Sequence, residues 1–163
     1  MWTRFMDMHS GGGLKEPYGY IYIEAPFEEA KRVFYNRFGH NPERVSCTCC
    51  GEDYSIDEHP TIEEATAFER GCLSVEDERG WLFGKDRPAD YRESRYLEPG
   101  EPVPPGMKLS SLSKYRNGGV TVEEWRRSGK GNLDGGVLFI DAADIKPEER
   151  QGDVPEQGYV WKD

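Results

Sequence analysis

The stretch YGYIYIEAPFEEAKRVFYNRFG, residues 18 to 39, constrains the fold of this chain more than any other. Its first half alternates with the two-residue period of a strand. Tyr18, Tyr20 and Tyr22 fall on one face and Gly19, Ile21 and Ile23 on the other, so at least one face is covered. Pro26 ends the strand. From Phe27 the period becomes helical, with Ala30, Val33, Phe34 and Phe38 on one stripe and acidic residues in the first turn. Gly39 then suits a left-handed stop.

Around this unit the remaining elements are shorter. Trp2 to Met8 reads as a first strand with Trp2, Met6 and Met8 on one side, broken by SGGGL. Short strands are expected at Arg44–Cys49, Asp53–Asp57, Trp81–Phe83 and Gly136–Asp141, and Tyr159–Trp161 is expected to dock on the sheet. A second helix begins at the capping box Thr61-Ile62-Glu63-Glu64, presents Ile62, Ala65 and Phe68 inward, and ends at Gly71. VTVEEWRRSG, from Val120, suits a strand or a helix. Residues 84–106 carry five prolines and many charges, the mark of a long loop, with one helical turn around Ala89–Tyr96. Strands and helices without βαβ regularity predict an α+β fold. The expected form is a small mixed or antiparallel sheet, two or three helices and long Pro/Gly-rich loops in a single domain, 1–163.

Leu, Ile, Val and Phe make up only about 18% of the 163 residues, near the range where chains fail to fold. Nine Tyr and four Trp compensate with large buried rings, and a net charge of −10 is too small to expand the chain. The charge is uneven. Between Glu52 and Glu101 fifteen acidic residues face six basic ones, whereas Met107–Asn132 has a net charge of +4. An acidic total disfavours direct nucleic-acid binding, because phosphate neutralisation supplies most of that affinity. It suits either a solvated face or a surface that docks on a basic partner. No segment has the ~20 apolar residues of a membrane span, and the N-terminus has no signal-peptide run, so a soluble, cytosolic protein is expected.

The chemistry-bearing residues gather in HNPERVSCTCCGEDYSIDEH, residues 40 to 59. Cys47 and Cys50, followed by Gly51, have the C-x2-C-G form of a zinc knuckle, in which a tight turn aims two sulfurs at one point. His40, His59 and Cys72 are the candidate completing ligands, which makes zinc the one cofactor to consider. Cys49 is a third thiol that a knuckle does not use. The alternatives are buried thiols acting as small apolar groups, and a redox or nucleophilic centre at Cys47, Cys49 and Cys50. Asp7 and His9 face the same way on a strand before a glycine loop, and with Ser10 they suit acid–base work or a plain flexible turn. Arg126, Arg127 and Lys130, among the glycines of RRSGKGN, suit phosphate binding or an exposed linker. Within the basic segment 107–132 they would serve a nucleotide-related module. The Tyr18, Tyr20, Tyr22 face suits base stacking, partner binding or core packing.

The strings MWTRF, DMHSGGG, YIYIEAP, FYNRFGHNPERV, CTCCG, DYSI and the tail DIKPEERQGDVPEQGYVW together resemble a family of small uncharacterised proteins from tailed bacteriophages and prophages. The resemblance covers roughly residues 1 to 70 and 141 to 163. It implies a setting, the cytoplasm of an infected bacterium, and carries no site residue with it. In that setting the leading expectation is an accessory protein that binds a host protein, a bacterial defence system among the candidate targets. A metal- or thiol-dependent enzyme built on the cysteine cluster is the alternative.

Overall fold

The computed structural model describes residues 1–8, 14–47, 53–72, 74–84, 95–115, 120–128 and 135–161. In chain order the elements are β1 (Trp2–Asp7), β2 (Tyr18–Ile23), α1 (Phe27–Phe38), β3 (Val45–Cys47), β4 (Tyr54–His59), α2 (Ile62–Cys72) and β5 (Ser74–Gly84). Then follow β6 (Arg95–Leu97), β7 (Met107–Tyr115), α3 (Val122–Ser128), β8 (Gly136–Ile140) and β9 (Tyr159–Trp161). Two compact units result, Met1–Arg70 with Thr121–Asp163, and Gly71–Val120.

The first unit holds a four-stranded mixed sheet in the order β4-β1-β2-β8. β1 runs antiparallel to β2 and β4, and β2 runs parallel to β8. β3 and β9 form a separate parallel pair. With three helices among the described residues this is an α+β fold, as the element pattern predicts.

Each face of the sheet has its own core. On one side Phe5, Ile21, Ile23 and Ile140 pack with Ala30, Val33 and Phe34 of α1. Phe34 is central here, 4.8 Å from Phe5, 4.7 Å from Phe38 and 5.2 Å from Tyr54 between ring centroids. Burying a ring of that size stabilises the fold by about 2–3 kcal/mol. α1 stops at Gly39, whose φ of 80° would strain a side-chain-bearing residue and whose N–H donates to Tyr35 O at 2.8 Å. On the other side Trp125 of α3 sits edge-on to Tyr20, Tyr22 and Phe139 at 6.1, 5.7 and 5.8 Å.

The three tyrosines therefore do not share one face. A bulge in β2 between Tyr18 and Tyr20, against β8, resets the alternation, so Tyr18 packs with the α1-side core while Tyr20 and Tyr22 join Trp125. Glycine makes the bulge feasible. A Cβ on Gly135 would lie 2.6 Å from Gly19 N and 2.1 Å from Leu14 Cδ1, so the strands approach this closely only because side chains are missing.

Two other expectations change. Phe68 points outward and is 75% exposed, because the inner stripe of α2 runs through Ala65, Thr66 and Glu69, drawn in by Arg4. Of the expected helical turn at 89–96, residues 89–94 lie outside the described residues, and Arg95–Leu97 pairs as β6. The undecided VTVEEWRRSG is helical as α3. Thr121 Oγ1 accepts the Glu124 N–H at 3.2 Å and Glu124 Oε2 accepts the Thr121 N–H at 2.6 Å, a complete capping box.

The second unit is a three-stranded antiparallel sheet, β6-β5-β7, with Leu82 and Leu97 buried. Among the described residues no helix is long and apolar enough to cross a membrane.

Candidate functional site

A buried group of ionisable side chains lies where β1 ends and β4 begins. The last residue of β1, Asp7, stands opposite Tyr54, the first of β4. Asp7 shares its face with Thr3 and Phe5, so its carboxylate is turned into the core. It is met there by Lys15. The Lys15 backbone N–H donates to Asp7 Oδ2 at 2.7 Å and its ammonium to Oδ1 at 2.5 Å, both side chains being fully buried. The ammonium also lies 5.0 Å from the centre of the Tyr54 ring. Each buried charge costs several kcal/mol of desolvation, offset only by this closely bonded pairing.

His40, next after the glycine that stops α1, completes the group. Its ring lies between Tyr54 and Tyr159 at 6.5 and 6.0 Å, nearly parallel to both. Its Nε2 is 3.8 Å from Glu16 Oε1. Burial lowers the His40 pKa, and the nearby Lys15 charge lowers it further, against a backbone hydrogen bond at Phe38 and the Asp7 charge. Burial first, then Asp7, raises the Glu16 carboxyl. Burial also pushes the Tyr54 hydroxyl far up. Beside the His40 ring a cleft of about 230 Å³ is bounded by Tyr35, Asn41, Pro155 and Tyr159. Asn41 closes one end by donating to Pro155 O at 2.8 Å.

His40 supplies a pH prediction. Its folded pKa lies below the unfolded 6.5, so the unfolded chain takes up the proton first as pH falls. Stability should decline as pH drops from 6.5 toward the folded value, and His40→Phe, which keeps a ring between the tyrosines, should remove that slope. Glu16 acts in the opposite sense at lower pH, above 4.5, where the folded state holds the proton more tightly. Chemical denaturation at stepped pH values measures both. A His40→Phe protein with the parent's slope just below pH 6.5 would refute the assignment.

The remaining sequence-predicted residues are dispersed. Arg126 is held by two bonds to Asp141, at 2.7 and 2.8 Å, and lies 4.5 Å over Phe139 and 5.5 Å from the Trp2 ring. The hydrogen bond to Arg126 holds the Asp141 carboxyl below its usual range. Arg127 is exposed, and Lys130 lies outside the described residues. Tyr20 and Tyr22 are buried in the aromatic core. His9, Cys49 and Cys50 lie outside the described residues, as do the side chains of Cys47, which ends β3, and Cys72, which ends α2. His40 stacks on Tyr54 whereas His59 ends β4, with about 17 Å of extended chain between those two strand positions. The two histidines therefore do not meet at one ion. Among the described residues no group of three or more His, Cys, Asp or Glu is placed to hold a metal. The Met8 N–H donates to Asp53 O at 3.1 Å.

Lys15, Glu16 and Tyr54 were not singled out by sequence reasoning. The one available signal is Asp7 itself, since an acid on the covered face of an alternating strand requires a cation or several donors. No family model, curated protein or solved structure matches the chain.

Proposed function

We propose that this protein works by binding, as a phage accessory factor that occupies a basic host protein in the bacterial cytoplasm. A component of a defence system is the target class that the phage resemblance suggests. The observation that carries the reading is how the first unit distributes its charge. Among its described residues, most cations are paired within the molecule. Arg4 bonds Asp57 and Glu69, Lys15 bonds Asp7, Lys31 bonds Glu43, Arg37 bonds Glu149, Arg126 bonds Asp141 and Arg150 bonds Glu29. Glu28, Glu58, Glu63, Glu123, Glu148 and Asp153 are exposed, and the chain as a whole carries −10.

Paired charges cancel at a distance, so the remaining carboxylates set the potential that an approaching partner meets. Such a field accelerates encounter with a basic surface and repels nucleic acid. Immobilised protein is therefore expected to retain host proteins from bacterial lysate at about 0.05 M salt and to release them near 0.5 M, where screening shortens to a few ångströms. Retention no greater than on blank resin at low salt would sink the proposal.

A further inference from the structure

The outer edge of β4 offers a specific place for that partner. β4 is an edge of the sheet, and its register with β1 runs unbroken through six pairs, from Trp2↔His59 to Asp7↔Tyr54. The Met8–Asp53 bond continues the same register one step further. In an antiparallel pair, hydrogen-bonded positions alternate. Asp53, Ser55, Asp57 and His59 therefore turn their backbone groups toward β1, and Tyr54, Ile56 and Glu58 turn theirs outward. Among the described residues nothing pairs with that outward edge. Proteins commonly block such edges with a bulge, a proline or lysines, and YSIDEH has none of them.

Beside the edge lies a groove of about 280 Å³ bounded by Phe27, Glu43, Ile56, Asp57 and Glu58. Phe27 and Ile56 give it an apolar floor, and the carboxylates give it a rim. Asp57 is neutralised by Arg4 and Glu43 by Lys31. Glu58 is not neutralised. It accepts the Phe27 N–H at 2.7 Å but pairs with no cation among the described residues, and exposed Asp53 stands at the other end of the strand.

We propose that this edge accepts a basic, extended segment of a partner protein as an added strand. The proposal rests on the binding reading above and names the chemistry of its partner. Main-chain bonds to Tyr54, Ile56 and Glu58 would supply affinity, and side chains would supply selection: on the face that Ile56 and Glu58 share, an apolar one onto Phe27 and Ile56 and a cationic one two positions on toward Glu58, and on the other face a cationic one toward Asp53. A second copy of this chain fits less well, since two chains that each carry −10 repel one another.

The test is amide hydrogen exchange by NMR on the full chain, with and without an acetylated and amidated Lys-Val-Lys-Val-Thr-Lys peptide, which carries Val and Lys two apart on one face and Lys on the other. The amides of Tyr54, Ile56 and Glu58 should exchange quickly in the free protein and slow at least about tenfold with the peptide. Glu58→Gln, which keeps the bond to Phe27, should weaken the peptide about threefold or more without moving the thermal midpoint. Protection elsewhere, for example at Glu148–Asp153, would overturn this inference and leave the acidic-binder reading standing. Concentration-dependent protection of the three amides without peptide would also overturn it, by making a second copy the occupant. A peptide that fails to bind at low salt would overturn the edge proposal, while the lysate experiment separately decides the broader one.

Discussion

Replacing Lys15 with methionine is expected to destabilise the first unit by about 3–5 kcal/mol, among the largest effects of any single change. Methionine restores most of the lysine's packing volume, so the loss is electrostatic. It leaves the Asp7 carboxylate in the core with the Lys15 backbone N–H as its remaining close donor and no counter-charge. In thermal unfolding followed by circular dichroism the midpoint should fall by about 10 °C. Adding Asp7→Asn should recover much of the loss, because an amide still accepts the Lys15 N–H and carries no charge to desolvate. This pairwise rescue distinguishes an ion-pair effect from damage to packing. An unchanged midpoint in Lys15→Met, or a double variant no better than the single one, would show that the pair is not the buried contact described.

Trp125→Ala should cost a comparable 3–5 kcal/mol, roughly the loss for a large aromatic side chain removed from a closed core. The indole is fully buried and touches three rings from β2 and β8, so its removal opens a void that those rings cannot close without leaving their strands. The consequence should also be local. α3 has only seven residues, too few to persist without packing, and Trp125 is its main anchor. Amide exchange in α3 should therefore rise more than in α1, and the near-ultraviolet signal of the aromatic cluster should weaken. Arg127→Ala on the exposed side of the same helix should stay within about 0.5 kcal/mol. Equal losses from the two substitutions would refute the assignment of Trp125 to the core.

Much of the fold was legible in local pattern. The strand at residues 18 to 23, the helical stripe from Ala30 to Phe38 and the stop at Gly39 all appear where the sequence predicts them, as does GVLFI, whereas the terminal strand forms but pairs with β3 and not with the four-stranded sheet. α3 was legible too, since Thr121-Val122-Glu123-Glu124 repeats the logic of Thr61-Ile62-Glu63-Glu64, but the alternating apolar residues of VTVEEW competed with it.

The candidate site was far less readable. Asp7 carried a hint, as an acid on a strand face with Phe5, but nothing around Lys15 or Glu16 marks either as buried. The tyrosines misled for a related reason. Strict alternation predicts one shared face, and one bulge against β8 moves Tyr18 to the other core. Arg126 reads as a ligand-binding cation until Asp141, fifteen residues later, claims both ends of its guanidinium.

The sequence by itself determined the class of fold, the principal helix and strands, the acidic balance and the shortage of aliphatic core. These follow from nearest-neighbour periodicity, caps and composition, which the chain carries locally. Only the tertiary structure decided that Asp7 and Lys15 neutralise each other in the core, that His40 lies between two tyrosines, and that β4 lies at an edge of the sheet. Those outcomes depend on strand order and register between segments far apart in the chain. A shift of one residue in register exchanges the buried and outward sides, and no local pattern records which register wins.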